Sequence, residues 1–326
     1  MTALDSLAPA APQAPFGHKL AAPGDPLEGA DFDAIYQQKI EPELIKCEAD
    51  RKGALRTFLV ALVGGAILVF LEYLMTPTFT NGASHTPSFF VVAISFAVVA
   101  GLGYLPLQSV AQKAKLGVIQ SLCQPLGVTY QMKGAEAPSF GEFLSLNLLP
   151  RPSEKSFEDF FSGRRGQIDF ALCEATLTQG SGKERHTVFQ GQLFRLTTPK
   201  KLLSTTVVLR NTGWFSRFEC PHGLQAVGLE DPRFNKIFAV FGSDQVEARE
   251  ILTPAFMQEL VDLETAYSGQ HLRYAFVGAE LLIAVEGANR FEIGSMFTTL
   301  VDRSRVEGIA RDLEQVFKLI DECKDA

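Results

Sequence analysis

Apolar residues concentrate in two long runs in the first third of the chain, and beyond them give way to shorter, alternating patterns. Thr57 to Leu71 runs fifteen residues without a charge, and the apolar stretch extends from Leu55 to Met75 with Arg56 at its start and the single acid Glu72 near its end. A hydrocarbon core about 30 Å thick needs about 20 helical residues at about 1.5 Å each. The run is therefore long enough to span, and Glu72 lies close enough to its end for the carboxylate to reach the headgroups. Ser88 to Pro106 carries no charge at all. Two transmembrane helices are expected, at 57–75 and 88–106, joined by an external turn at 76–87 whose two prolines and Asn-Gly favour a tight reversal.

Orientation follows from lysine and arginine placement. Lys39, Lys46, Arg51, Lys52 and Arg56 precede the first run, Lys113 and Lys115 follow the second, and the turn between has none. Both termini are expected in the cytoplasm. The first run begins more than fifty residues in, without the basic n-region and cleavage pattern of a signal peptide, so it reads as retained. Ala61 and Gly65 in the first run, and Ala93, Ala97 and Gly101 in the second, recur four apart. Such faces let helices approach closely, either within the hairpin or between two copies in a homodimer.

Residues 1–30 are rich in Ala and Pro and have little to bury, which predicts a disordered tail. Ile35, Ile40, Leu44 and Cys47 then recur at roughly helical spacing, predicting an amphipathic cytoplasmic helix over 31–56. Val110, Ala114, Val118 and Leu122 predict a helical stalk over 107–124 that ends near Pro125.

The pattern of 125–322 is that of an α+β domain. Ser139-x-x-Glu142 ahead of Phe143 reads as a capping box opening a short helix, and the segment from Pro150 to Gly166 reads as a linker or a second short helix. Gln167–Leu177 and Thr187–Leu196, parted by Gly180-Ser181-Gly182, read as a hairpin that Thr205–Leu209 extends into a meander. Leu224–Leu229 and Ile237–Phe241 are further strand candidates, and Tyr274–Val277 and Leu281–Val285 flank a Gly278-Ala279 turn. Short connections make the sheet mainly antiparallel. Asp244 with Glu247 opens a helix over 245–265, kinked where Thr253-Pro254 restarts it. Val306, Ile309, Leu313, Val316, Phe317 and Ile320 form the apolar stripe of a last helix after Asp302. The whole is a two-helix transmembrane hairpin followed by a mainly antiparallel sheet domain with packed helices, and a fragment beginning near Gly127 is expected to close its own core.

Composition narrows the function. The net charge is −7 and the pI about 5.4, so no global basic excess is available to neutralise nucleic-acid phosphates, and nucleic acid is excluded as the expected partner. Mean hydropathy is +0.10 with 21% charged residues, which the two apolar runs account for. Cys47, Cys123, Cys173, Cys220 and Cys323 are far apart and form no C-x-x-C pair, against both a zinc cage and a disulfide framework.

Three stretches, Gly182–Leu196, Leu229–Val240 and Asp244–Leu260, with the strings E-D-P-x-F and D-Q-V-E-A-R-x-x-L-T-P, resemble as a set the uncharacterised bacterial family known as domain of unknown function 3137. The resemblance covers roughly 120–322 with the spans before it. It implies a bacterial inner-membrane protein and carries no activity, ligand or catalytic residue.

Candidate chemistry is sparse. Glu230, Asp231, Asp244 and Glu247, with Arg249, could gather into a carboxylate site for a divalent ion or for general acid-base work. Capping explains the same residues: Asp244 and Glu247 at a helix start, Asp231-Pro232 at a turn. Cys220-Pro-His222 is too slight for a metal site. No nucleophile elbow or phosphate loop occurs, and no cofactor is implied. Arg164-Arg165 and Lys200-Lys201 are basic pairs read as loops that could touch lipid headgroups, and Trp214-Phe215 could be an apolar loop tip or a core element. The reading is a non-enzymatic binding or scaffold module, anchored in the bilayer through 57–75 and 88–106 and recruiting a cytoplasmic protein. The alternative is an anchored metal-assisted hydrolase or transferase built on the four carboxylates.

Overall fold

The computed structural model describes residues 30–75, 89–134, 136–198, 201–213, 220–266 and 271–322. The Ala/Pro-rich tail up to residue 29, the turn at 76–87, Lys200, Trp214-Phe215 and Cys323 lie outside the described residues, as does the side chain of Glu72.

Helix α1 (Ala30–Ile35), a π-turn over Tyr36–Ile40 and α2 (Glu41–Met75) follow one another without a break, so the expected amphipathic helix and first apolar run are one rod. Helix α3 (Phe89–Cys123) likewise joins the second run to the stalk. Pro106 sits inside it, where it removes one backbone donor. Gly65 lies against Phe96, Ala61 against Gly103, and Glu43 against Gly117, which makes the two helices antiparallel partners along their length. A Cβ on Gly103 would fall 2.4 Å from that of Ala61, so this approach requires glycine. The small residues of α2 thus pack within the hairpin, whereas Ala93, Ala97 and Gly101 of α3 face outward.

Both helices are long and apolar enough to cross a membrane. Their far halves leave Val60, Val63, Ile67, Phe70, Ile94, Val98 and Leu102 exposed. Their near halves do the opposite. Ile40, Leu44 and Cys47 on one rod and Val110, Ala114, Val118 and Leu122 on the other are buried, as their spacing predicts, whereas Ile35 is half-buried and Tyr36 beside it is the buried residue.

After α3 the chain builds β1 (Thr129–Lys133), α4 (Phe140–Ser145), β2 (Glu154–Arg165), β3 (Ile168–Gln179), β4 (His186–Thr197), β5 (Thr205–Arg210), β6 (Gln225–Ala226), α5 (Pro232–Ile237) and β7 (Phe238–Gly242). It continues through α6 (Gln245–Ile251), α7 (Pro254–Ala266), β8 (Arg273–Val277), β9 (Glu280–Glu286) and α8 (Arg303–Glu322). The nine strands form one sheet in the order β1-β2-β3-β4-β9-β8-β5-β7-β6, every pairing antiparallel. The fold is α+β.

Period-two alternation places neighbouring residues on opposite faces. Leu172, Phe194, Val208, Tyr274, Phe276, Leu281 and Ile283 face the near halves of α2 and α3 together with α7 and α8. Cys173, Leu193, Val207, Ala275 and Leu282 face Phe140, Phe143, Leu148 and Leu149 around α4. A sheet buried on both sides explains why several strands read as continuous apolar runs.

Several local expectations change. The segment 150–166 is no linker: it contains the twelve-residue strand β2. Thr205–Leu209 does not extend the meander, because the β8–β9 hairpin inserts between β4 and β5. Only Gln225–Ala226 of Leu224–Leu229 pairs as a strand. Ser139 stands in front of α4 with φ +56° and makes no side-chain cap; its Oγ donates instead to Glu280 Oε2 at 3.1 Å. Residues 245–265 form two helices, broken at Leu252-Thr253 and restarted by Pro254. The division between stalk and domain at residue 125 also cuts through packing. Ile119, Leu122, Cys123 and Leu126 are buried in the same core as Phe161, Phe170 and Val306.

Candidate functional site

Lys115 stands next to the apolar stripe of α3 and enters the core with its stem, as amphipathic side chains do when the head finds a partner. Its Nζ donates to Asp159 Oδ2 at 2.7 Å and to Glu292 Oε1 at 2.8 Å. Asp159 comes from a β-bulge: the register of β2 on β3 shifts between Glu158 and Phe161, and Asp159 adopts φ +53°. Bulges re-aim a side chain, and aspartate tolerates this conformation better than most residues. The result is a fully buried carboxylate. Its second oxygen accepts from Tyr130 Oη at 2.6 Å, so strand β1 is tied to the same point.

Glu174 on β3 extends this polar centre. Also fully buried, it accepts from Arg290 N at 2.7 Å and from Gln192 Nε2 at 3.2 Å through Oε1, while Oε2 has no partner among the described residues. Burial pushes its carboxyl up to about 7, against the pull of the Arg290 N–H and with a push from the Asp159 charge. Burial also opposes the ammonium of Lys115, but Asp159 and Glu292 together outweigh it and hold its pKa above the ordinary lysine value. Burial and the Asp159 acceptor raise the Tyr130 hydroxyl well above its usual range, so it stays a donor.

Glu158, Asp159 and Glu292 bring one oxygen each within 4.8 Å of one another, a spacing that could suit a divalent ion. The Lys115 ammonium, however, lies within hydrogen-bond distance of two of these three carboxylates. Glu158 Oε1 meanwhile accepts from Asn289 Nδ2 at 2.9 Å. Lys115, Tyr130, Asp159 and Glu292 thus form an ion-pair network that joins α3, β1, β2 and the segment after β9.

The carboxylates singled out from the sequence do separate structural work. Asp231 caps α5, accepting from Arg233 N at 2.7 Å and Phe234 N at 3.0 Å. Asp244 caps α6, accepting from Val246 N at 2.7 Å and Glu247 N at 3.2 Å. Glu247 does not close a capping box; it accepts from Leu203 N and Ser204 N at 3.1 and 2.6 Å and so fixes the entry to β5. Among the described residues neither these three nor Glu230 belongs to a converging carboxylate group. Arg249 donates to Gly228 O at 3.3 Å and Gln245 Oε1 at 3.2 Å.

Arg164 and Arg165 lie at the end of β2 and not on a free loop, paired with Asp169 and Asp321. Cys220 Sγ is turned to Leu224 O at 3.3 Å, while His222 is exposed. Burial drives the Cys123 and Cys173 thiols up to about 12, which leaves them unreactive.

Lys115, Tyr130, Asp159, Glu174 and Glu292 were not legible as a site. Lys115 counts in sequence only as a topological charge. The one available signal is Asp159 inside Phe157-Glu158-Asp159-Phe160-Phe161, an acid between aromatic residues.

Fold and site together define an α+β protein with a two-helix apolar hairpin welded to one face of its sheet. Residues 187–324 match the family model described as "Protein of unknown function (DUF3137)", so this part of the chain is similar to that family. Among solved structures, the chain is similar to the crystal structure of the mycobacterial trehalose monomycolate transport factor A, at 11% identity and a TM-score of 0.31 over 62% of this chain and 92% of that one. At that overlap nothing is transferred. No curated protein matches the chain.

Proposed function

We propose that this protein is a bacterial inner-membrane module without catalytic activity, in which the two apolar helices anchor and orient a cytoplasmic sheet domain that recruits a protein partner. The observation that carries this reading is the Lys115–Asp159 pair: α3 runs unbroken from its exposed apolar half to a buried ammonium locked at 2.7 Å in the sheet. A flexible linker would suit an anchor that only concentrates an enzyme near a surface. A rigid weld suits a module whose orientation matters.

The exposed cations Lys39, Lys46, Lys52, Arg56 and Lys113 all lie at the sheet end of the hairpin, which supports a cytoplasmic domain with both termini on that side. The bilayer is the first partner, through 57–75 and 88–106. The outward stripe Ala93, Ala97 and Gly101 is the surface through which a second copy would pack. The hydrolase or transferase alternative is less well supported, because Asp231 and Asp244 cap two different helices and Glu247 holds the entry to β5.

Reporter fusions after Ala326 and within residues 80–85 test the topology and should report opposite sides, with the C-terminal one cytoplasmic. A periplasmic C-terminus would refute the reading. Affinity purification of the full-length protein from its native membrane, with proteins and lipids both identified, tests the module: a stoichiometric cytoplasmic partner is expected.

A further inference from the structure

The segment between β9 and α8 returns to the hairpin at the level where its exposed apolar half begins. Met296 and Leu300 are buried, but Phe297 between them is 56% exposed. It is not on a loose tip. Phe297 N donates to Ser295 Oγ at 3.2 Å, Thr298 Oγ1 donates to Ser295 O at 3.0 Å, and Arg305 donates to Thr298 Oγ1 at 2.5 Å. Two further bonds fasten the turn to α2: Arg51 to Met296 O and Leu300 N to Glu48 Oε2, both at 3.0 Å.

The Phe297 ring packs on Phe58, with centroids 6.1 Å apart, and Phe58 packs on Tyr104 at 5.9 Å. Phe58 is the second residue of the first apolar run and Tyr104 is the third-last residue of the second. The three rings therefore form one aromatic layer drawn from both helices and the turn. On its far side begins the exposed apolar band of Leu59, Val60, Val98 and Leu102, and on its near side lie the exposed Lys52 and Arg56. Aromatic rings at the boundary between an apolar band and basic residues mark a membrane interface.

We propose that the turn Ser295–Thr298 is a third lipid contact, in which Phe297 enters the interfacial region of the bilayer beside Phe58 and Tyr104 and fixes the tilt of the sheet domain against the membrane plane. The occupant of the exposed ring face is lipid because that face continues the apolar band of the hairpin. The clamp from Glu48 and Arg51 holds the ring there before any lipid is present, so insertion orders little additional chain. This inference rests on the membrane reading above.

The test uses the full-length chain in lipid nanodiscs, with Trp214→Phe removing the single native tryptophan. One reporter is Phe297→Trp and the control is Phe58→Trp. Both are measured against lipids brominated near the headgroup end of the acyl chain. Quenching of the 297 reporter to the same extent as the 58 reporter is expected, together with a blue-shifted emission relative to the same variant in urea. A quenched 58 reporter with an unquenched 297 reporter would overturn the lipid contact while leaving the membrane anchor intact. An unquenched but blue-shifted 297 reporter would overturn it in favour of a protein occupant. If neither position is quenched, the membrane reading fails and takes the contact with it.

Discussion

Glu48 and Arg51 sit three residues apart on α2 and grip opposite ends of one turn. Arg51 binds Glu48 through two bonds of 2.8 and 2.7 Å, and each uses a remaining site on the backbone of residues 296–300. The Arg51 bond, followed by the Leu300 N–H, holds the Glu48 carboxyl down at about 2, against an ordinary value of 4.5.

A depressed carboxyl contributes stability that is complete above its unfolded value and disappears as pH falls through its folded one. The Glu48 contribution should therefore be full above about pH 4.5 and lost toward about pH 2, with a ceiling of roughly 3 kcal/mol. Glu48→Gln should lower the melting temperature of the solubilised full chain at pH 7 and flatten its dependence on pH over that acid window. An unchanged pH profile in Glu48→Gln would show that the clamp contributes nothing.

Glu174 has the opposite sign. Its carboxyl is raised to about 7, so the folded state holds a proton that the unfolded state gives up near 4.5. Stability from this group is present below about pH 4.5 and lost as pH rises through about 7. Glu174→Gln copies the protonated form and should stabilise the protein at pH 8 by up to about 3 kcal/mol, with little effect at pH 4. Melts at the two pH values decide it; destabilisation at pH 8 would mean that the ionised form is the one the core needs.

The buried pair between α3 and β2 should respond as a unit. Lys115→Met leaves the fully buried Asp159 with Tyr130 as its direct partner among the described residues and should cost about 3–5 kcal/mol, whereas Lys115→Met with Asp159→Leu should recover much of the loss. Tyr130→Phe removes one bond to Asp159 and should cost about 1–3 kcal/mol. Additive losses in the double variant would show that the two charges do not act on each other.

The near halves of α2 and α3 belong to the core, so a fragment starting at Gly127 should aggregate. Joining Arg56 to Leu105 through a short Gly/Ser turn keeps Leu44, Ala114 and Leu122 and discards most of the exposed apolar band, since these helix segments are neighbours across Ala61 and Gly103. That chain should be soluble and cooperatively folded. Its aggregation, set against a well-behaved fragment from Gly127, would refute the shared core.

Capping at Asp244 is a local matter. Asp244→Ala should cost about 1 kcal/mol, and Asp244→Asn or Asp244→Ser should regain most of it because either side chain accepts the same backbone N–H groups. Millimolar Mg²⁺ should leave the melting temperature unchanged, and a shift present in wild type but absent in Asp244→Asn would revive the carboxylate site.

What the sequence shows depends on the range of the interaction. The two rods, the stripe of α8, the Asp244 cap and the β8–β9 turn are written in residues fewer than eight apart, and each is legible. Strand β2 is not, because Pro150, Pro152 and a run of charges hide it and the bulge at Asp159 breaks its alternation. The place of β5 is set by a hairpin that forms some seventy residues later, and Ser139 turns from its cap to a glutamate on β9. The polar centre is the extreme case: Lys115 finds Asp159 44 positions away and Glu292 177 away.

Because α3 is a single helix, the rotational setting of its exposed apolar half is fixed by where Lys115 points. A helix advances about 100° per residue, so Tyr104, eleven residues earlier, lies within about 20° of Lys115 around the axis. A quarter-turn of this helix would carry Tyr104 away from Phe58 and drag a buried ammonium off two carboxylates at once. The ion pair is thus a rotational stop. Motion passed along this rod has to be tilt or axial travel, with Pro106 as the one place where its backbone ladder is incomplete.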